Sequence, residues 1–417
     1  MDKIIIFNAS EIATPTGSKA KYGKEMNDIS IIKNGSIVIE NGLIRDVGPT
    51  TSITRKYNLS KYNIIDAKDK SIVPGFVDAH THFIFGGYRE EEFFQRINGT
   101  SYMEIMNNDG GIESTVKKTR NMTLKELYEV GLDRLNSMLG FGITTVEGKS
   151  GYGLDFQTET KQLKVMKKLD ESHPVDVVST FLGAHATPQE YKGKNDEYID
   201  FMIEKLYPYI VRNKLAEFCD VFCEDGVFSI EESRKLLLEA KKLGFKLKVH
   251  ADEISSFGGA ELASSIGAIS ADHLLNVSDE GIKEMAKNKV VSVLLPATAF
   301  TLDKPFANAR KMIDDGCAVA LGSDYNPGSC FSNSIPLIIS LACIKMRMTP
   351  EEILTALTIN GAAALDREAS IGSIEIGKKA DLLMLKYPSY KYLMYNTGIN
   401  IVDTVVKNGE IKLINKY

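Results

Sequence analysis

The 417-residue chain predicts a (β/α)8 barrel of the TIM type joined to a small β-sandwich domain built from both chain termini. Three observations carry this. Through the middle of the chain, apolar runs of strand length alternate with amphipathic helical stretches about eight times, the repeat of a closed parallel barrel. Both ends instead place alternating apolar residues around Asn-Gly pairs, the mark of β-hairpins. Nearly every expected barrel strand ends in a polar group, and barrel chemistry sits at the C-terminal ends of the strands. An open doubly wound sheet shares the alternation, but no convincing glycine-rich nucleotide fingerprint accompanies it here.

Residues 1–72 and 372–417 are expected to form the composite sandwich and residues 73–371 the barrel. In order, residues 31–39 read as a strand, a turn at Asn34-Gly35 and a second strand. Asn41-Gly42 then leads into a strand at 43–48. The barrel strands are expected at 75–80, 142–147, 175–182, 219–223, 247–250, 268–272, 290–295 and 318–322. Helical patterns fall between them at 123–139, 196–211, 229–243 and 278–287, and Ser229 with Glu232 three residues on has the spacing of a capping box. Residues 381–385 form one more strand, and 404–413 repeat the hairpin pattern around Asn408-Gly409.

Composition narrows the function class. A net charge of −5 gives no basic surplus for nucleic acid or an anionic membrane. The five cysteines, Cys219, Cys223, Cys317, Cys330 and Cys343, are odd in number and fit no disulfide or zinc spacing. Cys219 and Cys223 share one face of a strand and read as core, so reduced thiols are expected. Residues 1–7 have too short an apolar stretch for a signal peptide, and the longest strongly apolar run, 335–344, is about half a membrane span. A soluble cytoplasmic protein is expected.

His80 and His82 end an apolar run after Pro74-Gly75. Strand side chains alternate faces, so both imidazoles point one way and can chelate a divalent metal. Other polar groups close later strands: Glu147, Lys149 and Tyr152; His185; Glu224 and Asp225; His250 and Glu253; Asp272 and His273; Asp324 with Asn326, Gly328 and Ser329. Five of the six histidines fall at these ends, and the sixth, His173, reads as a surface or loop residue. His80, His82, His250 and Asp324 offer three imidazoles and a carboxylate, a set that suits Zn²⁺ or Fe²⁺ better than Mg²⁺ or Ca²⁺. Such an ion lowers the pKa of bound water toward about 7. Glu253 is then placed to shuttle protons, with possible help from Asp324, and His273 to hydrogen-bond a substrate oxygen or a developing oxyanion.

This constellation resembles the metal-dependent amidohydrolase superfamily. The matching motifs are Pro74 to His82, Val249-His250-Ala251-Asp252-Glu253, Ala271-Asp272-His273 and Gly322-Ser323-Asp324, with Gly377 to Leu382 similar to that superfamily's return to its β-domain. Many two-metal members carry a carboxylated lysine after the fourth strand; residues 218–228 contain no lysine, so one ion per chain is expected. Four further stretches, 85–93, 148–154, 180–186 and 323–329, are similar to the imidazolonepropionase family within it. That resemblance implies hydrolysis of 4-imidazolone-5-propanoate to N-formimidoyl-L-glutamate and a homodimer. It implies substrate contacts from Arg89, Tyr152, His185, Glu253, Asn326, Gly328 and Ser329. The arginine suits the propanoate tail because a planar guanidinium pairs with a carboxylate in two places; its plainer role is an ion pair with Glu90, Glu91 or Glu92. A cytosine- or guanine-type aminohydrolase shares the metal set but has no tail for Arg89. Metal-free scaffold relatives generally lack ligands that this chain keeps.

Overall fold

Long runs of β-branched residues dictate the N-terminal strands. The computed structural model describes residues 3–100 and 110–415. Strand β1 (Lys3–Pro15) pairs antiparallel with β2 (Ile29–Glu40), which pairs with β3 (Leu43–Pro49). Asn41 and Gly42 make the two-residue turn between β2 and β3, both with positive φ, as a tight hairpin requires. The turn expected at Asn34-Gly35 is absent: β2 runs straight through it. Asn34 takes a left-handed φ of 48° without reversing the chain. The reason is tertiary. The ladder to β1 continues on both sides of the pair, and a Cβ on Gly35 would lie 2.5 Å from the buried Ile12 side chain, so glycine here admits packing rather than a bend.

Strands β4 (Asn63–Asp66) and β5 (Ser71–Pro74) run parallel to successive halves of β1. The chain then enters the barrel: β6 (Phe76–Asp78), β7 (Ile143–Lys149), β8 (Asp176–Ala184), β9 (Phe218–Cys223), β10 (Lys246–Ala251), β11 (Ser270–His273), β12 (Val291–Leu294) and β13 (Ala318–Leu321). All eight are parallel and neighbours in sequence are neighbours in space. Each overlaps its expected range. The seam between β6 and β13 is closed just past the strands, where Asp324 N donates to His80 O at 2.9 Å and His82 N to Tyr325 O at 3.0 Å.

Helices cover the barrel, and their starts follow capping chemistry. Ser229 Oγ accepts from Glu232 N at 3.2 Å while Glu232 Oε2 accepts from Ser229 N at 2.8 Å, opening the helix Ile230–Lys242. Thr123 and Glu126 do the same for Leu124–Gly140. The helix expected at 196–211 is present but widens to a π turn at Met202–Leu206, just before Pro208, whose ring nitrogen has no hydrogen to give the helical ladder. The apolar run Ile335–Ile344 is a ten-residue helix, about 15 Å long. No helix among the described residues is long and apolar enough to cross a membrane. All five cysteines are free thiols.

Strands β14 (Leu382–Leu385), β15 (Val402–Lys407) and β16 (Glu410–Ile414) return to the N-terminal strands, in the order β16-β15-β14-β5-β1-β2-β3 with β4 on β1. Asn408 and Gly409 form the β15–β16 turn, again with positive φ. One apolar core takes Ile6, Ile12, Ile37 and Ile72 from one end of the chain and Leu382 and Val406 from the other. A buried ammonium links this sheet to the barrel: Lys407 Nζ lies 2.6 Å from Asp381 and 2.8 Å from Asp176 at the start of β8. Lys407→Met strands the buried Asp381 carboxylate and is expected to lower unfolding free energy by about 3 kcal/mol. Denaturant titration measures it; an unchanged midpoint would show that the pair merely offsets its own desolvation.

Candidate active site

The strand ends bring five buried ligand-bearing side chains into one space. His80 and His82 prolong β6, His250 lies in β10, His273 ends β11, and Asp324 follows β13. His80 Nε2 and His82 Nε2 lie 3.6 and 3.5 Å from Asp324 Oδ1, and His82 Nε2 lies 3.4 Å from His250 Nε2. These gaps are long for hydrogen bonds. They match the roughly 3.3 Å edge of a tetrahedron whose centre sits about 2.0 Å from each ligand. His80 Nε2 is buried with no hydrogen-bond partner. His80, His82 and Asp324 form one group able to hold an ion, and His80, His250 and His273 an adjoining one. The donor set therefore fits a divalent metal.

His80, His250 and Asp324 are held from behind, whereas His82 Nδ1 is buried with no hydrogen-bond partner. Asp272 Oδ2 lies 2.6 Å from His80 Nδ1 and Asp220 Oδ2 lies 2.9 Å from His250 Nδ1. A carboxylate at Nδ1 fixes the tautomer whose Nε2 lone pair faces the site. Thr298 donates to Asp324 Oδ2 at 2.7 Å. Burial holds His80, His82 and His273 well below the ordinary imidazole range, so they stay neutral. For His250 burial pushes the same way, but the Asp220 charge outweighs it and lifts the ring above its usual value. Burial lifts Asp324 to about 6.

Glu253 stands beside this group, with Oε2 3.5 Å from His273 Nε2. Burial, then the Asp324 charge, push its carboxyl up to about 8. Its turn is gripped from two sides. The Asp252 carboxylate accepts from the amides of Phe257, Gly258, Gly259 and Ala260, and Glu224 accepts from Ile254 N and Ser255. Asp252, His273 and Asp324 all have positive φ, so three strand ends carry backbone strain where the ligands converge.

The remaining expected residues ring this centre. His185 stacks on His82 with ring centroids 5.0 Å apart, and burial pushes it down to about 3, leaving it neutral. Tyr152 is buried between Phe85 and His185. Asn326 spends its amide on its own loop: Oδ1 accepts from Gly328 N and Ser329 N, and Nδ2 donates to Asp324 O and Ser329 Oγ. Arg89 is tied to Glu92 through Nε at 2.8 Å and Nη2 at 2.7 Å, which turns Nη1 toward Gly328, where a Cβ would meet it at 2.3 Å. Arg96 donates to Gly328 O at 2.9 Å. His173 lies apart, ending the helix Phe156–Ser172 and bonded to Asn136 and Val175 N.

Sequence reasoning missed Asp220, Lys248, Thr298, Arg96 and Glu159. A signal existed for the first two: Asp220 is the single charge in an apolar strand, and Lys248 shares the parity of His250. Thr298, Arg96 and Glu159 lie on helices and left no comparable mark.

A barrel whose strand ends gather a buried His–Asp cluster able to hold a metal ion has the layout of a metal-dependent hydrolase, and the chain belongs to the amidohydrolase family, whose model matches residues 71–412. Within it the chain falls among the imidazolonepropionases. It is 59% identical to the imidazolonepropionase of Clostridium tetani over 99% of both chains, and 58% identical to that of Parabacteroides distasonis, also over 99% of both. Solved structures share the fold, two deaminases among them. Guanine deaminase from C. acetobutylicum gives a TM-score of 0.70 at 17% identity, covering 98% of this chain and all of that one. An adenosine deaminase from Xanthomonas campestris with bound zinc gives 0.68 at 18%, covering 99% and 93%.

The loop that carries Tyr152 depends on one buried carboxylate. Glu159 Oε1 accepts from the amides of Gly151, Gly153 and Leu154 at 2.8 to 3.1 Å. Glu159→Gln is expected to speed hydrogen exchange at these amides by about tenfold or more, since bonds to a charged acceptor contribute about 1.5–3 kcal/mol each. Exchange followed by mass spectrometry on peptides spanning 150–155 checks it; unchanged protection would remove Glu159 from this role.

Proposed function

We propose that the chain hydrolyses the ring amide C–N bond of 4-imidazolone-5-propanoate to N-formimidoyl-L-glutamate, the imidazolonepropionase step of histidine degradation. The observation that supports this best is the meeting of His80, His82, His250 and Asp324 with Glu253 and His273 on one barrel rim, in a chain of this family. Those four residues would hold one divalent ion, zinc or iron, as three imidazoles and a carboxylate suit. When bound, the ion supplies Lewis-acid chemistry: it polarises a carbonyl and acidifies water. A homodimer and a cytoplasmic location complete the reading and rest on family likeness and on composition.

The chain's own residues bind, orient and move protons. Glu253 takes a proton from the attacking water as its oxygen adds to the ring carbonyl carbon. It returns that proton to the ring nitrogen as the C–N bond breaks and the bonding pair goes to nitrogen. The carbonyl carbon leaves as a carboxyl group, which ionises and releases water's second proton. A carboxyl lifted to about 8 exchanges protons readily near neutral pH. Asp324, lifted to about 6, is the second carboxylate within reach. Neutral His273 offers an N–H to the developing oxyanion. Arg89, oriented by Glu92, receives the propanoate tail, with Tyr152 and His185 against the ring and the Gly328-Ser329 backbone beside it. Asn326 acts by shaping that backbone.

Metal-loaded protein given freshly made 4-imidazolone-5-propanoate is expected to form N-formimidoyl-L-glutamate, read by mass spectrometry against a no-enzyme control. Metal-replete protein that makes no product would overturn the reading. His80→Ala is expected to lose bound metal, counted by elemental analysis; retention of one ion per chain would remove His80 from the ligand set. Arg89→Met should keep its metal and kcat while KM rises about 10- to 100-fold, the range for losing a charge-assisted pair. An unchanged KM would assign the tail to another residue.

A further inference from the structure

Beneath the ligand cluster lies a layer of charge that the reaction does not use. Glu147, Lys149, Asp220, Lys248 and Asp272 are all fully buried inside the barrel. Five charges out of water are costly unless each is paired. Lys149, the last residue of β7, lies 2.7 Å from Asp220 Oδ2, 3.0 Å from Glu147 Oε2 and 3.4 Å from Asp272 Oδ2. Asp220 and Asp272 are the carboxylates that hold His250 and His80 by Nδ1. One ammonium therefore touches both.

We propose that Lys149 is a positioning residue of the hydrolytic site, bridging Asp220 and Asp272 so that the His250 and His80 rings are set relative to each other. Its reach joins β9 and β11 across the intervening β10, on which His250 sits. Without the bridge, the two carboxylates repel, separate, and carry their rings with them. Lys248 is the internal comparison. It is just as buried, but it donates to Glu147 at 2.9 Å and to Ala79 O at 3.1 Å, lies 3.8 Å from Asp272, and bonds to neither histidine's carboxylate as closely as Lys149 bonds to Asp220. Loss of charge alone would make the two lysines equivalent; bridging singles out Lys149. The inference rests on His80 and His250 being metal ligands.

The test uses the full-length protein with Co²⁺, whose visible absorption reports ligand geometry. Lys149→Met is expected to fold, to bind Co²⁺ about tenfold to hundredfold more weakly, and to shift the absorption bands, while kcat falls and KM is little changed. Lys248→Met should leave affinity and bands close to wild type. Should Lys149→Met not fold, the double variant Lys149→Met/Glu147→Gln removes one charge of each sign and still deprives Asp220 and Asp272 of their bridge, and the same weakening and band shift are expected. Wild-type affinity and spectrum in a folded Lys149 variant would overturn this inference alone, as would an equal effect from Lys248→Met. Co²⁺ binding unaffected by His80→Ala would overturn the ligand assignment, and this inference with it.

Discussion

Two backbone hydrogen bonds across one seam hold the site together. Asp324 N to His80 O and His82 N to Tyr325 O join the first barrel strand to the last. Side chains reinforce them: Ser323 donates through its backbone N and its hydroxyl to the two oxygens of Asp78, at 2.9 and 2.6 Å. The Asp324 carboxylate can face His80 and His82 only if the barrel closes, because the chain between them supplies every other strand. An open edge would leave β6 and β13 with unpaired amides and carbonyls and would divide the ligand set. Closure of the fold and assembly of the site are thus one event.

Closing the barrel buries charge, and the interior answers by pairing. Three carboxylates and two lysines under the cluster balance nearly to neutrality, and two of the carboxylates, Asp220 and Asp272, also face imidazole Nδ1 atoms. That layer sets which nitrogen of the His80 and His250 rings looks outward. The strain above it is held in the same way. Asp252, His273 and Asp324 keep positive φ because neighbouring bonds leave them no alternative: four amides grip the Asp252 carboxylate, and Leu274 N donates to Ala251 O.

Much of this was legible in one dimension, and the exceptions have physical causes. The barrel strands could be read because each is an apolar run, separated from the next by stretches of helical pattern, one of them opened by the Ser229–Glu232 capping box. The residues now gathered around Asp324 could be read because each ends such a run. Asn34-Gly35 misled because an Asn-Gly pair tolerates a turn without forcing one, and the ladder to β1 was longer than the local preference was strong. Arg89 sat beside three glutamates in sequence; that Glu92 alone takes it, while Arg96 braces Gly328, follows from how one short helix leans on the loop after β13.

The sequence by itself determined the architecture, the residue types that gather at the strand ends and the class of chemistry. Periodicity, turn pairs and strand-end polarity are local properties, and family motifs are local strings. Only the tertiary structure decided how those ligands are held: which carboxylate stands behind which imidazole, that Asn326 spends its amide on its own loop, and that Lys149 faces three carboxylates. Those pairings join residues on different strands, whose distances are set by barrel closure and by the requirement that each buried charge find a partner. No spacing along the chain encodes them.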